Sequence, residues 1–382
     1  MKYKWIVLAT FWLLIFSYGA SWFAVASILH NIETKYLQTY SISIQHMLSH
    51  LLLSIIGLFV VFFAWPAGHL VDKKGAKISS LIGSLFMLIG FGSRAFLLQN
   101  YWEILTSTII AGFGLAWILV ALAPMMLQWF EEKASLAIGL TSSGLFLGFS
   151  FGSVISPYIL DKYGFNSVFK FFALLVLISF LIWTIAGKDR KKMEVKRISF
   201  REGIKQIMVS KNALLYPFIG FFIVGSTLSA SALMPSLHHF KEVGPLISIM
   251  LFGCAIGAFS FPYIAHKYGI KKIAFLVMLL AIISWTSFYI ISSYSFLLLT
   301  SFLFGVFLQA GWPIALHSQE TEKGVTKENE GIASSLYISI SNVGGALLPV
   351  LTGYLEKNVD VAFIGVAIYL IACLILWAFV RR

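Results

Sequence analysis

Apolar residues run along this chain in long blocks separated by short polar breaks, and no stretch alternates apolar and polar with a period of two. A block of roughly 20 residues crosses a hydrocarbon core of about 30 Å at 1.5 Å per residue. In lipid, every backbone N–H and C=O must find its partner inside the fold, which leaves helices or closed barrels. Barrel strands would alternate, so the blocks are read as helices. The pattern predicts twelve spans, at about 5–29, 46–70, 78–98, 102–128, 135–160, 167–187, 213–237, 245–266, 273–292, 295–318, 330–355 and 361–380. The fold class expected is an all-α membrane protein of twelve transmembrane helices.

The first block opens with Met1-Lys2-Tyr3-Lys4 and contains Ala24-Val25-Ala26, which together look like a secretory signal with a cleavage site. Its apolar run from Trp5 to Leu29 is longer than the roughly 7–15 residues of such a signal. A retained first span is therefore expected.

Charge gives the topology. Of the 28 Lys and Arg, 22 fall on one set of alternate loops and five on the other, and Arg94 lies inside a span. The richer side is the cytoplasmic one by the positive-inside rule. Both termini lie on it, which requires an even number of spans. The expected location is a plasma membrane of the bacterial inner-membrane type. The longest polar interruption, 188–212, carries nine Lys and Arg against three acids in 188–211. It divides the chain into an N-terminal six-helix bundle (1–187), a basic linker (188–212) and a C-terminal six-helix bundle (213–382). Phe200 to Ile207 could form an amphipathic helix on the anionic inner leaflet, or the linker could simply be solvated.

Composition agrees with the pattern. The chain is 59% hydrophobic and 12% charged, against roughly 25% charged for a soluble domain. The net charge of +12 follows from the loop bias and does not call for nucleic acid. Cys254 and Cys373 lie inside apolar blocks and are read as core residues rather than a disulfide or metal pair.

The halves look like an internal repeat. Gly139, Gly152 and Pro157 in the fifth span recur as Gly331, Gly344 and Pro349 in the eleventh, at an offset of 192 residues. Lys73-Lys74-Gly75 after the second span is matched in part by Lys267-Tyr268-Gly269 after the eighth, at an offset of 194. Duplicated halves of this kind are a transporter signature.

The loop after the second span reads Gly68-His69-Leu70-Val71-Asp72-Lys73-Lys74-Gly75-Ala76-Lys77. It resembles the signature of the major facilitator superfamily at Gly68, Leu70, Asp72, Lys73, Gly75 and Lys77, with Ala76 in place of a usual basic residue. The resemblance covers the whole chain and implies two pseudo-symmetric bundles that rock about a central site. It also implies a gating role for Asp72, locking the halves at the start of the eleventh helix, with Lys73 and Lys77 in its charge network. Gly68 would allow close helix approach and Gly75 a tight turn. In the second copy, Pro262 and His266 replace the signature Gly and Asp.

All sixteen acids fall in loops or at span ends. The middle of the membrane therefore has no carboxylate for an acid relay. Arg94 is placed near the outer interface, either snorkelling or pairing with Glu103 or Asp161, or attracting anions at an outer vestibule. His30, His46 and His50 are expected at the outer interface. The family resemblance puts the substrate between the first, fourth, seventh and tenth helices. Candidates at that depth are Tyr18, Ser21, Trp22, Trp117, Ser226, Thr227, Gln309 and Trp312, with Tyr337 and Asn342 from the eleventh. They suit a neutral, zwitterionic, amphipathic or singly anionic organic solute. No Lys or Arg lies in the eighth or eleventh span, where monocarboxylate carriers of the superfamily hold theirs.

Secondary active or facilitative transport by alternating access is therefore expected, with a transporter-like sensor as the alternative. An intramembrane enzyme is not expected, because His, Cys and acids do not cluster in the spans. No cofactor or metal is called for. The expected partners are a small-molecule substrate and the lipid bilayer, with a co-transported ion left open, and the expected state is a monomer.

Overall fold

In the computed structural model the described residues are 3–130, 134–190, 200–237, 244–290, 293–326 and 329–381. They form twelve long helices: α1 (Tyr3–Phe23), α2 (Ile42–Lys74), α3 (Ala76–Ser93), α4 (Tyr101–Phe130), α5 (Ala134–Tyr163), α6 (Phe165–Ala186), α7 (Leu215–Leu237), α8 (Gly244–Tyr268), α9 (Ile270–Ile290), α10 (Tyr294–Glu320), α11 (Glu330–Leu355) and α12 (Val359–Phe379). Each is long and apolar enough to cross a membrane, and there are twelve such segments. Large apolar side chains on the outside, such as Ile185 at 82% and Phe96 at 86% exposure, would be unfavourable in water and suit lipid.

Two predicted spans end early. The first breaks at Phe23, and short helical turns over Ala26–Ile28, Leu29–Ile32 and Glu33–Leu37 carry the chain back over the bundle end. The third stops at Ser93, so that Arg94 is its C-cap. The cause is polar in both cases: the continuing chain delivers Glu33 and Arg94 to buried partners described below.

The repeat is visible in the packing. A methyl group at Gly152 would collide with the Ala20 carbonyl of α1, and one at Gly344 with the Phe221 carbonyl of α7. The glycines at an offset of 192 thus do the same work in each half, letting α5 lie on α1 and α11 on α7. The loops at an offset of 194 match as well. Gly75 and Gly269 both adopt positive φ, 100° and 104°, a conformation that L side chains avoid. Just beyond them, Lys77 Nζ donates to the Thr184 carbonyl at the end of α6 (3.2 Å) and Lys271 Nζ to the Ala378 carbonyl at the end of α12 (2.8 Å). Both donor and acceptor are displaced by 194 residues, and a cation at a helix C-terminus is favoured in each half.

The halves meet along two helix pairs, α2 with α11 and α5 with α8. At Gly57 an added Cβ would lie 2.9 Å from the Asn342 carbonyl, so the α2 and α11 backbones nearly touch in the middle of the interface. On the other pair, the Ser150 and Ser248 hydroxyls are 2.7 Å apart. The helix over Phe200–Ile207 forms where the sequence suggested. It docks on the C-terminal half, with Ile207 buried against Ala213 and Ala333 and the Asn329 amide donating to Gln206 (2.9 Å).

Candidate functional site

The predicted interior residues divide into two groups, each tied within its own half. In the N-terminal half the Tyr18 hydroxyl donates to the Ala111 carbonyl of α4 (2.7 Å), and the Trp22 indole to the Leu53 carbonyl of α2 (3.1 Å). The Trp117 indole N–H and the Ser21 hydroxyl are buried with no hydrogen-bond partner. In the C-terminal half the Thr227 hydroxyl donates to Gln309 Oε1 (3.3 Å), which joins α7 to α10. Tyr337 donates to the Trp312 carbonyl (2.9 Å), joining α11 to α10, and Asn342 Nδ2 donates back to Ile338 of its own helix (2.8 Å). Ser226 and Ser229 are buried without partners. None of the hydrogen bonds described for these residues crosses between the halves, so separating the bundles costs none of them.

Arg94 departs from its predicted place. It is 1% exposed, inside the N-terminal bundle rather than at an open vestibule. Its guanidinium donates to the Ser107 hydroxyl (2.8 Å), the Thr108 hydroxyl (2.5 Å) and the Ser21 carbonyl (3.2 Å), and it lies over the Phe91 ring. Among the described residues no carboxylate pairs with it; Glu103 instead caps its own helix by accepting from Gln99 N–H. The charge is held by neutral oxygens, an aromatic face and the negative end of α3. A buried charge with this support clamps α1, α3 and α4 together.

At the bundle end that carries the termini, Gly68 faces Ser335 of α11, 3.5 Å from where a Cβ would stand. The side chains of Asp72 and Lys73 lie outside the described residues. Lys77 is engaged within its own half, on α6. The sequence reading missed Asp189. It accepts from the Lys77 backbone N–H at the start of α3 (3.2 Å) and lies against Gly75. Burial pushes its carboxyl pKa above the usual value, while the Lys77 and Ala76 N–H groups and the Lys77 charge pull it down without cancelling the rise. The signal available was an acid just after α6, facing a helix start that a glycine turn leaves uncapped.

The profile of the Major Facilitator Superfamily matches residues 11–316 and, over the second half, 218–382. The chain belongs to that superfamily. Among similar proteins is an MFS-type transporter of Gibberella moniliformis, 24% identical over 77% of this chain and 74% of that one. Another is the glucose/mannose transporter GlcP of Bacillus subtilis, 21% identical over 84% of this chain and 82% of its own. The solved structure of a bacterial homolog to the human lysosomal transporter Spinster, in an inward-facing and unoccupied conformation, superposes with a TM-score of 0.73. It covers 99% of this chain and 95% of that one at 13% identity, a likeness of fold alone.

For this major facilitator chain the end of the interface opposite the termini holds a group that the sequence reading placed at the surface. His50 of α2 is 2% exposed, with Nε2 2.9 Å from Glu356 at the end of α11 and Nδ1 donating to the Pro349 carbonyl (3.1 Å). Glu356 is 4% exposed and also accepts from Ser236 of α7. Beside them Glu33, 6% exposed, takes the Ser49 hydroxyl and lies 3.0 Å from His46 Nδ1. His30 is exposed and His46 part-exposed at this end, as expected for interfacial groups, and His50 is the buried one. Among the described residues the buried carboxylates are Glu33 and Glu356, both at this end. Span-end acids looked solvated in the sequence; pairing across the halves was not visible there.

Proposed function

We propose that the chain moves a small organic solute (neutral, zwitterionic, amphipathic or singly anionic) by rocking its two bundles about a central site. The observation that carries this reading is the division of the interior. Tyr18 and Trp22 are braced within one half and Thr227, Gln309, Trp312 and Tyr337 within the other, so the halves can part as rigid units. Unpartnered hydroxyls at Ser21, Ser226 and Ser229 and the Trp117 indole N–H supply polar groups that a solute or water would satisfy on opening. The relation to a glucose/mannose transporter supports a polar, uncharged cargo. Membership in the superfamily supports a gating role for Asp72 and Lys73 beside Gly68. The loop charge bias supports cytoplasmic termini in a plasma membrane.

Counterflow in proteoliposomes, run over sugars, amino acids and monoanions, tests this reading. Exchange above leak for one class is the expected result. If no solute exchanges and a cytoplasmic protein binds instead, the chain is a sensor. For the cargo that works, Gln309→Ala should raise the half-saturation constant several-fold at unchanged expression, and a wild-type constant removes Gln309 from the site.

A further inference from the structure

The His50–Glu356 contact lies between two acceptors. The Pro349 carbonyl only accepts, so His50 Nδ1 must carry a hydrogen. His50 Nε2 stands 2.9 Å from Glu356 Oε2, an ion-pair contact and not an aligned hydrogen bond, which is attractive only with a further proton on the imidazole or the carboxyl. Without it, a neutral imidazole nitrogen would stand against a carboxylate in a buried site. Gly353 makes the arrangement possible, since an added Cβ there would stand 2.9 Å from His50 Nδ1. The second pair repeats the chemistry: His46 Nδ1 and the Ser49 hydroxyl both point at Glu33.

We propose that His50 and Glu356 form a proton-binding site that holds the two halves together at the end opposite the termini, beside the Glu33–His46 pair of the N-terminal half, so that opening there releases a proton. The proposal rests on the rocking motion argued above. His50 sits on α2 and Glu356 on α11, so the pair breaks whenever that end opens. Once parted into water, an imidazole keeps its proton only below about pH 6.5 and a carboxylate only below about pH 4.3. Closing at neutral or alkaline pH therefore takes up a proton, which passes from solution to the His50–Glu356 pair. The closed form therefore weakens as the pH rises, by up to tenfold per pH unit for each proton it binds. Of the other charged groups described at this end, exposed His30 faces Glu33 at 3.9 Å and adds a second titratable imidazole there. Lys35 lies over the rings of Tyr36 and Phe165, Lys357 over Tyr354, and Asp360 takes the Tyr289 hydroxyl. Residues 238–243 of the adjoining loop lie outside the described part.

The site gives a carrier without an acid in mid-membrane a way to couple to protons: the gate itself binds the ion. The test uses the full chain in nanodiscs with spin labels at Ile42→Cys and Val361→Cys, both exposed, in a Cys254→Ala/Cys373→Ala background. Interspin distances are measured between about pH 6 and pH 8.5, the range in which a free imidazole loses its proton. The expected result is a long-distance population that grows several-fold with pH in the unmodified site. That response should flatten in Glu33→Gln/Glu356→Gln. A second variant, His50→Gln, should also lose most of it, which guards against misfolding of the double variant. An unchanged pH response in both variants overturns the proposal. So does an unmodified site that ignores pH while Glu356→Gln opens it; the rocking motion would then stand and the proton would not. Distances that never move, in any variant, overturn both.

Discussion

The two ends of the interface between the halves are built on different principles. At the end opposite the termini, buried ionisable groups reach across from α2 to α11, and His50 with Glu356 is a pair that neither half satisfies alone. At the end with the termini, the polar contacts set out above for Lys77, Lys271 and Asp189 serve their own half. Lys77 and Lys271 cap α6 and α12, and Asp189 caps α3, while Gly68 and Ser335 meet across the boundary as small residues. One end thus has a strong, chemically addressable closure. The other has a smooth contact between rigid bodies, over which Asp72 and Lys73 are proposed to act. The difference teaches that pseudo-symmetry governs how each half is built and need not govern how the halves are held.

Removing the cross-boundary pair should give the largest effect. His50→Ala leaves Glu356 buried without its partner, and breaking one side of a buried pair costs about 3–5 kcal/mol. The conformation closed at that end should be lost and thermal stability lowered, which a pH-resolved unfolding scan together with Ile42–Val361 interspin distances would record. Wild-type distances would erase the contrast between the two ends. Next comes Gly57→Val, in the middle of the same helix pair. Its Cβ would stand 2.9 Å from the Asn342 carbonyl, and overpacking of this kind costs about 1–3 kcal/mol. Because Gly57 lies between the two ends, counterflow should fall while neither end closes fully. A variant that transports normally would mean that α2 and α11 are not held as tightly as the glycine approach suggests.

Much of this architecture was legible in the sequence. All twelve blocks begin within about four residues of a helix start, because spans in lipid are read from apolar length alone. The repeated glycines at 152 and 344 declared their role through spacing. The site was only partly legible. Gln309 and Thr227 were picked separately as candidates by depth, and the hydrogen bond that joins them between α7 and α10 was not read from the sequence. Arg94 was misplaced because hydropathy does not reveal that a helix ends five residues early, at Ser93, and turns a guanidinium inward. The His50–Glu356 pair was hidden for a related reason: 306 positions separate the two residues in sequence, and each by itself looks like an interfacial group.

Smaller effects are expected where each half supplies its own partners. Lys77→Met and Lys271→Met should each cost about 1 kcal/mol, the scale of a cation hydrogen-bonded at a partly exposed helix C-terminus. The two losses should be alike, since donor and acceptor repeat at one offset. Neither should change opening at the opposite end. Unequal losses, measured as shifts in unfolding temperature, would show that the repeat is geometric and not energetic.

Asp189 is the finest of these tests because its two roles oppose each other. As a cap it offers oxygen to the Ala76 and Lys77 N–H groups, and Asp189→Ala should cost about 1 kcal/mol for the lost acceptor. As a charge it is penalised by burial, which raises its carboxyl pKa above the usual aspartate value. A raised pKa means that the folded protein holds the proton more tightly than the unfolded chain. The contribution is therefore fully present below the unfolded pKa and is lost as pH rises through the folded one. Asp189→Asn keeps an acceptor and removes the charge. It should match the wild type in acid and exceed its unfolding temperature slightly at neutral pH, by less than the alanine variant loses. If the asparagine variant is instead the less stable one at neutral pH, the backbone N–H groups and the start of α3 outweigh burial. The linker would then be held to the N-terminal half by charge, as the opposite end of the interface is held by His50 and Glu356.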